Sequence, residues 1–338
     1  MARRIKKTSP KQDGYRMPGE FEPQERVYMI WPERTDNWRG GAKPAQEAYA
    51  NVAKAISRFT PVTMLVNRDQ YANARARLPR EIKVLEMSSN DAWCLYFPWD
   101  ADDAIAEKIC ELEDIDSYRL DDFVLEGGSF HVDGEGTVLT TEMCLLSEGR
   151  NCHMSKSVIE AKLKEYLGCD KVLWLKDGID PDETNGHVDD VACFVRPGEV
   201  ACIYTENKSD PFYKVAQDNY KALCEMTDAK GRKLKVRKVC TPSKLVLLEG
   251  AETIDRVAGT VPRKNGEICI ASYLNYLVTN NGVIVPQYDD ENDKLALAQL
   301  KEIYPDKEVV GVKTREIVFG GGNIHCITQQ LPAKILNK

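Results

Sequence analysis

Three short strings carry the residue types that could do chemistry. Near the end of the chain, Gly320-Gly321-Gly322-Asn323-Ile324-His325-Cys326-Ile327-Thr328-Gln329-Gln330 sets a cysteine behind three glycines. Glycines let a backbone turn sharply and approach a ligand, so Cys326 reads as an exposed nucleophile, with Gly321 and Gly322 beside the substrate. Taken alone, one cysteine among eleven is more often a small buried apolar residue. The string Asp182-Glu183-Thr184-Asn185-Gly186-His187-Val188-Asp189-Asp190 packs acids around one of four histidines at the entry to a strand. His187 there has the chemistry of a general acid and base, and Asp189 could fix its tautomer or hold a cation. The bland alternative is a solvated acidic turn. In Leu125-Glu126-Gly127-Gly128-Ser129 a carboxylate precedes two glycines, a pattern that serves equally as a simple bulge.

Together these types restrict the reaction. A thiolate needs an electrophilic carbon, and a histidine with carboxylates would move protons and bind a positive group. A guanidinium answers both needs, because it is cationic and offers planar pairs of N–H donors that carboxylates grip bidentately. Its resonance makes it a poor electrophile, so it must be held against the sulfur by fixed carboxylates.

The elements that must position these residues repeat one order: two short strands, an amphipathic helix and a returning strand. The first readable copy has strands at Ser129–Asp133 and Thr137–Thr141, a capping box at Ser157 and Glu160 opening a helix through Leu167, and a strand at Lys171–Leu175. The second runs Val191–Arg196, Val200–Thr205, a helix over Pro211–Met226, then Leu234–Val239. The third has a long opening strand in Ile268–Thr279, then Val283–Tyr288, a helix over Asp290–Ile303, and Val309–Val312. Near the start, Val27–Trp31, a helix over Pro44–Phe59 and Pro61–Val66 form a copy with one opening strand, for which Asn323–Gln330 could supply the missing partner. That closure suggests a ring of five units, with Glu126, His187 and Cys326 at equivalent strand ends near its axis. The remaining unit passes from Ile82–Met87 through Leu95–Trp99 into a helical stretch at Ala101–Leu112 and a short strand ending at Leu125, without the hairpin expected before that helix.

Bulk composition fits a folded globular chain of 338 residues, 43% hydrophobic and 29% charged. A net charge of −7 argues against a general nucleic-acid binder and suits a small cation. No stretch approaches the roughly 20 apolar residues of a membrane span, and no apolar run follows the basic start, so residues 1–14 read as a flexible segment of a cytoplasmic protein. The cysteines form no C-x-x-C pair, so neither a disulfide framework nor a metal site is expected.

At these residues the sequence resembles the agmatine deiminases of the guanidino-group-modifying, peptidylarginine-deiminase-like family. The resemblance runs over almost the whole chain, through Arg16–Pro23, Trp31-Pro32-Glu33-Arg34, Asp36-Asn37-Trp38-Arg39, Ala42–Gln46, Glu126-Gly127-Gly128, Glu183–Asp189 and Gly320–Gln330. It implies a single α/β domain over 1–338, the pentein fold of five pseudosymmetric ββαβ units, here with one unit lacking its opening hairpin. It also implies agmatine as substrate, hydrolysed to N-carbamoylputrescine and ammonia in polyamine metabolism. By the likeness Cys326 forms an amidino-thioether, His187 serves the leaving ammonia and then water, Glu126 and Asp189 hold guanidinium nitrogens, and Asp91, Trp93, Gly321 and Gly322 line the substrate. No cofactor is implied, and a homo-oligomer is. The family continues Asn-Asp-Ala-Trp with a further Arg-Asp, whose Asp grips the guanidinium, whereas here Asn90-Asp91-Ala92-Trp93 meets Cys94 and then Leu95–Trp99. That gap leaves two alternatives open: an impaired paralogue that keeps the fold and binds a polyamine or a partner, and a related arginine deiminase.

Overall fold

The computed structural model describes residues 2–90, 99–179, 184–258 and 262–334. They sort into two compact units, one of Met1–Phe21 with Ala106–Thr241, the other of Glu22–Ile105 with Pro242–Lys338.

In the first unit two sheets follow one plan. Phe130–Val132 pairs antiparallel with Thr137–Thr141, which pairs in parallel with Lys171–Leu175. The tight return suits its residues: Asp133 Oδ1 accepts from the amides of Glu135 and Thr137, both at 2.8 Å, while Gly134 and Gly136 take positive φ. The helix Lys156–Tyr166 makes the crossover and buries Ile159 and Leu163 against Val138 and Cys144. In the second sheet Ala192–Arg196 pairs antiparallel with Glu199–Tyr204 and, after the helix Tyr213–Glu225, Lys235–Cys240 returns in parallel.

The second unit repeats the plan twice. Leu277–Val278, Gly282–Gln287 and Glu308–Lys313 form a sheet crossed by the helix Asp293–Ile303. In the other sheet, Gln329–Pro332 pairs antiparallel with Gln24–Ile30, with Gln330 opposite Val27, and Val62–Val66 and Lys83–Glu86 extend it in parallel. The expected completion of the N-terminal copy by the end of the chain is therefore present. Its helix, Lys43–Ser57, buries Ala48, Val52 and Ile56 on one face, as its spacing predicts.

Several expectations change in detail. The strand at the chain end is shorter than 323–330, because residues 323–328 form a turn closed by Ile327 N–H to Asn323 O and Thr328 N–H to His325 O. The long third-copy strand is two short ones: Ile268–Cys269 pairs with Val246–Leu247, and Leu277–Val278 joins the sheet above. The helical stretch 101–112 is two pieces, Asp100–Asp103 and Ile105–Leu112, and the strand that follows is Ser117–Tyr118. That strand pairs with Arg4–Ile5. The basic leader, expected to be flexible, is thus held in a sheet, with Arg3 paired to Asp116 and Lys11 donating to Cys169 O and Asp170. Charges on the first unit's own surface give it partners. The junction at residues 94–95, where a hairpin was expected and not found in the sequence, lies outside the described residues. No described helix is long and apolar enough to cross a membrane.

The cap of the Lys156–Tyr166 helix is Ser155, whose hydroxyl accepts from the Val158 amide, rather than Ser157. Urea unfolding should show Ser155→Ala losing about 1 kcal/mol of stability, with Ser157→Ala losing less because the cap stays in place.

Candidate functional site

The residues singled out fall in both units. In the first, Glu126 ends an extended segment and Gly127–Ser129 makes a single tight turn into the strand Phe130–Val132. Thr184 to Asp190 leads into Ala192–Arg196 in a similar way: Asn185 and Gly186 take positive φ, and Val188–Asp190 is another tight turn. Two consecutive left-handed residues reverse the chain just ahead of His187. The Thr141 hydroxyl donates to Gly186 O at 2.7 Å and accepts from the Cys144 amide at 3.1 Å, tying this turn to the neighbouring sheet.

These turns bring Glu126, His187 and Asp189 together. His187 Nε2 lies 3.7 Å from Glu126 Oε1. A Cβ added to Gly128 would stand 2.6 Å from both Asp189 Oδ2 and His187 Nδ1, so the two side chains pack onto a backbone that only glycine leaves open. His187 and Asp189 are buried, and Glu126 keeps partial exposure. Between solvent and core, then, a carboxylate reaches out from a buried imidazole and a second carboxylate.

Arg150, which nothing in the sequence pattern singled out, fixes Glu126. Its Nε lies 2.8 Å from Oε2 and its Nη2 2.7 Å from Oε1, while Nη1 donates to Asn185 Oδ1 at 2.6 Å. One buried guanidinium therefore joins both turns, in the bidentate geometry that lysine cannot reproduce.

The electrostatics follow from this packing. Burial pushes the Glu126 carboxyl up, but His187 and Arg150 outweigh it and hold the group down to about 2. Burial alone would push the His187 imidazole down. The Cys144 thiol, Glu126 and Asp189 reverse this and raise it to about 10, so the ring is an imidazolium at neutral pH, poised to donate a proton. Ligand atoms of Glu126, Cys144 and His187 lie within 4.8 Å of one another, a donor set with the types to hold a metal ion. A protonated His187 offers no free lone pair to such an ion.

In the second unit Cys326 is half-buried in the turn ahead of Gln329–Pro332. The glycine run allows close packing on both sides. A Cβ at Gly320 would enter the Trp38 ring, and a Cβ at Gly322 would stand 2.8 Å from Cys326 Cβ and 2.9 Å from its sulfur. Gly321 has φ +93°. Trp38 comes from the Asp36–Arg39 string, and Arg39 lies 4.8 Å over the Phe319 ring while pairing with Glu316. That N-terminal string therefore supports the cysteine turn. Asn275, also missed, accepts from the amides of His325 and Cys326 and directs Nδ2 at the sulfur, 3.1 Å away. It stands two residues ahead of Leu277–Val278, the first strand of its repeat, much as His187 and Cys326 stand ahead of theirs. That shared position was the signal that could have found it. Asp91 and Trp93, expected to line the substrate, lie outside the described residues, as does Glu183.

The family of Porphyromonas-type peptidyl-arginine deiminases matches the chain over residues 16–95 and 95–332, nearly its full length in two stretches that meet at residue 95. A relative from Lactococcus lactis, assigned by name to agmatine deiminase, is 64% identical, with 98% of this chain and 99% of the relative covered. That alignment runs to 363 positions, more than the 338 residues of the chain. The agmatine deiminase of Pseudomonas aeruginosa is 48% identical over 96% of this chain and 98% of its own. A solved structure described as the agmatine deiminase of Enterococcus faecalis catalysing its reaction superposes with a TM-score of 0.97 at 62% identity, covering 99% of this chain and all of that one. The chain belongs to the agmatine deiminase family. Its α/β fold is that of the solved agmatine deiminases, which are hydrolytic enzymes. A more distant arginine deiminase homologue from Porphyromonas gingivalis retains a TM-score of 0.80 at 28% identity.

Two tests of this agmatine deiminase cluster follow from its packing. Gly128→Ala should displace His187 and Asp189 and cut kcat by at least tenfold, a misplacement effect read in steady-state kinetics on a chain that remains folded by circular dichroism. The imidazole keeps its proton to about 10 in the folded chain against 6.5 ordinarily, so its contribution to stability is complete below 6.5 and drains away as pH rises towards 10. Thermal unfolding from pH 6.5 to 10 should therefore show a decline in Tm that is shallower in His187→Gln.

Proposed function

We propose that this chain hydrolyses agmatine to N-carbamoylputrescine and ammonia through a covalent cysteine adduct. The observation that carries the reading is the buried His187 ring set against the Glu126 and Asp189 carboxylates behind Gly128, in a chain of this family. A cationic guanidine needs negative charge to hold it, and a leaving amine needs a proton; Glu126, Asp189 and His187 supply these from fixed positions.

In this mechanism the Cys326 thiolate attacks the central guanidinium carbon, forming a C–S bond. His187 passes its proton to one NH2 group, the C–N bond breaks and ammonia leaves, giving an amidino-thioether. The imidazole, now neutral, takes a proton from water as the water oxygen bonds to the same carbon; the C–S bond breaks to return the thiolate, and the ureido product leaves after giving its one surplus proton to solvent. Glu126 and Asp189 hold the remaining guanidinium nitrogens, with Arg150 keeping Glu126 ionised and oriented. Glycines 321 and 322 let the substrate approach the sulfur, and Asp91 and Trp93 belong to the same substrate surface. The four repeats described are read as members of a fivefold ring in one domain over 1–338, working in the cytoplasm as a homo-oligomer.

The family match that breaks at residue 95 and the alignment longer than the chain support the reading that one unit lacks its hairpin, and with it the aspartate that the family carries there. Loss of one carboxylate from the substrate cradle weakens transition-state binding by about 3 kcal/mol, on the scale of one electrostatic site contact. The enzyme is therefore expected to be slower than its full-length relatives rather than altered in reaction. Incubation of purified chain with agmatine should release ammonia and a ureido product in equal amounts, and Cys326→Ser should abolish both. A folded chain that binds agmatine in calorimetry and yields no ureido product would instead be an impaired paralogue, and turnover of free or peptidyl arginine in preference to agmatine would move it to another substrate.

A further inference from the structure

We propose that Asn275 is a further catalytic residue, one that hydrogen-bonds the reacting sulfur of Cys326 and favours its thiolate form. The inference rests on the reading of Cys326 as the nucleophile, but its geometry lies wholly within the second unit.

An asparagine side chain has one acceptor atom and one donor group, and here the backbone decides which points where. Oδ1 accepts from the amide N–H of His325 at 3.0 Å and from that of Cys326 at 3.3 Å. Neither amide can accept, so the oxygen must face them and the Nδ2 hydrogens must face the sulfur at 3.1 Å. The carbonyl of Asn275 accepts from His325 N–H as well, at 3.2 Å, so the main chain around residue 275 is stapled to the cysteine turn. The sulfur also abuts the bare backbone of Gly322, where any Cβ would stand 2.9 Å from it. The thiol is therefore seated against both a glycine and an amide donor, with Asn275 itself fully buried.

Such a donor acts differently on the two forms of the sulfur. A thiol is a weak acceptor and a thiolate a strong one, so an N–H fixed on the sulfur stabilises the anion more than the neutral group. Because the donor is held in place by bonds made through the opposite end of the same amide, no reorganisation is needed when the proton leaves. The repeat gives Asn275 its place: it precedes the first strand of the third copy, as Glu126, His187 and Cys326 precede theirs.

The test uses the full chain and reads the sulfur directly. The rate of iodoacetamide alkylation at Cys326, followed by mass spectrometry of the peptide that carries it, is measured against pH for the wild type, Asn275→Asp and Asn275→Ala. Asn275→Asp keeps an oxygen to accept from both amides but replaces the donor with a negative charge that itself opposes a thiolate, so the uncharged Asn275→Ala must show the same rise before it is assigned to the lost donor. The expected result is a midpoint raised by about one pH unit or more in both variants, seen as alkylation about tenfold slower at neutral pH, or ~1.4 kcal/mol. An unchanged midpoint in folded Asn275→Ala, or in folded Asn275→Asp, would overturn the proposal. Should the variants fail to fold, the wild type alone decides: its midpoint at Cys326 must lie below that of the same cysteine in urea, and a folded midpoint equal or higher rejects the role. No substrate enters these measurements. Deimination that survived Cys326→Ser would therefore remove the nucleophile assignment, while the alkylation midpoint would still report on Asn275.

Discussion

A buried charge must be paired, and in the first unit that requirement ties the candidate site together. His187 and Asp189 are buried, and Glu126 is anchored on Arg150, whose remaining nitrogen reaches Asn185 on the second turn. Removing one member of such a group leaves the others as uncompensated charge, which costs far more than the pair contributes when intact. The same arrangement that holds the two turns together also sets their protonation: a carboxylate that stays ionised and an imidazole that stays protonated.

The repeated sheets explain why these groups appear where they do. In each copy a short first strand runs antiparallel to a second, which runs parallel to the returning strand, and the residues ahead of the first strand are freed from ladder hydrogen bonds. That position holds Glu126 in one copy, His187 in the next, Asn275 in the third and Cys326 in the last. Three of the four have permissive residues beside them: Gly127 and Gly128 at Glu126, Asn185 and Gly186 at His187, and the run Gly320–Gly322 at Cys326. At Gly128 and Gly322 the need is steric, because a side chain would occupy the space of His187 or of the cysteine itself. The glycines thus allow tight packing of these side chains.

Much of the architecture was legible in the sequence because period and burial coincide. Val52 and Ile56 recur at helical spacing and are fully buried, and strands such as Val200–Ile203 are apolar because both faces are covered. Boundaries moved where a local hydrogen bond competes with the ladder: Ser155 rather than Ser157 caps its helix, and the end of the chain forms a turn through Thr328 before it pairs as a strand. The N-terminal leader was unreadable for another reason, since its order depends on Asp116 and Asp170, more than a hundred residues away.

By itself, the sequence determined the candidate residue types: a cysteine behind glycines, a histidine among acids, a carboxylate before a glycine pair, and the repeat that sets each ahead of a strand. Those follow from local patterning, which the chain carries without reference to distant contacts. Only the tertiary structure decided what each group would be. Arg150 stands in a loop with no periodic mark, and Asn275 sits some fifty residues before the sulfur it faces. Protonation and orientation are set by which charges and donors lie within a few ångströms, and that proximity is created by folding rather than by spacing along the chain.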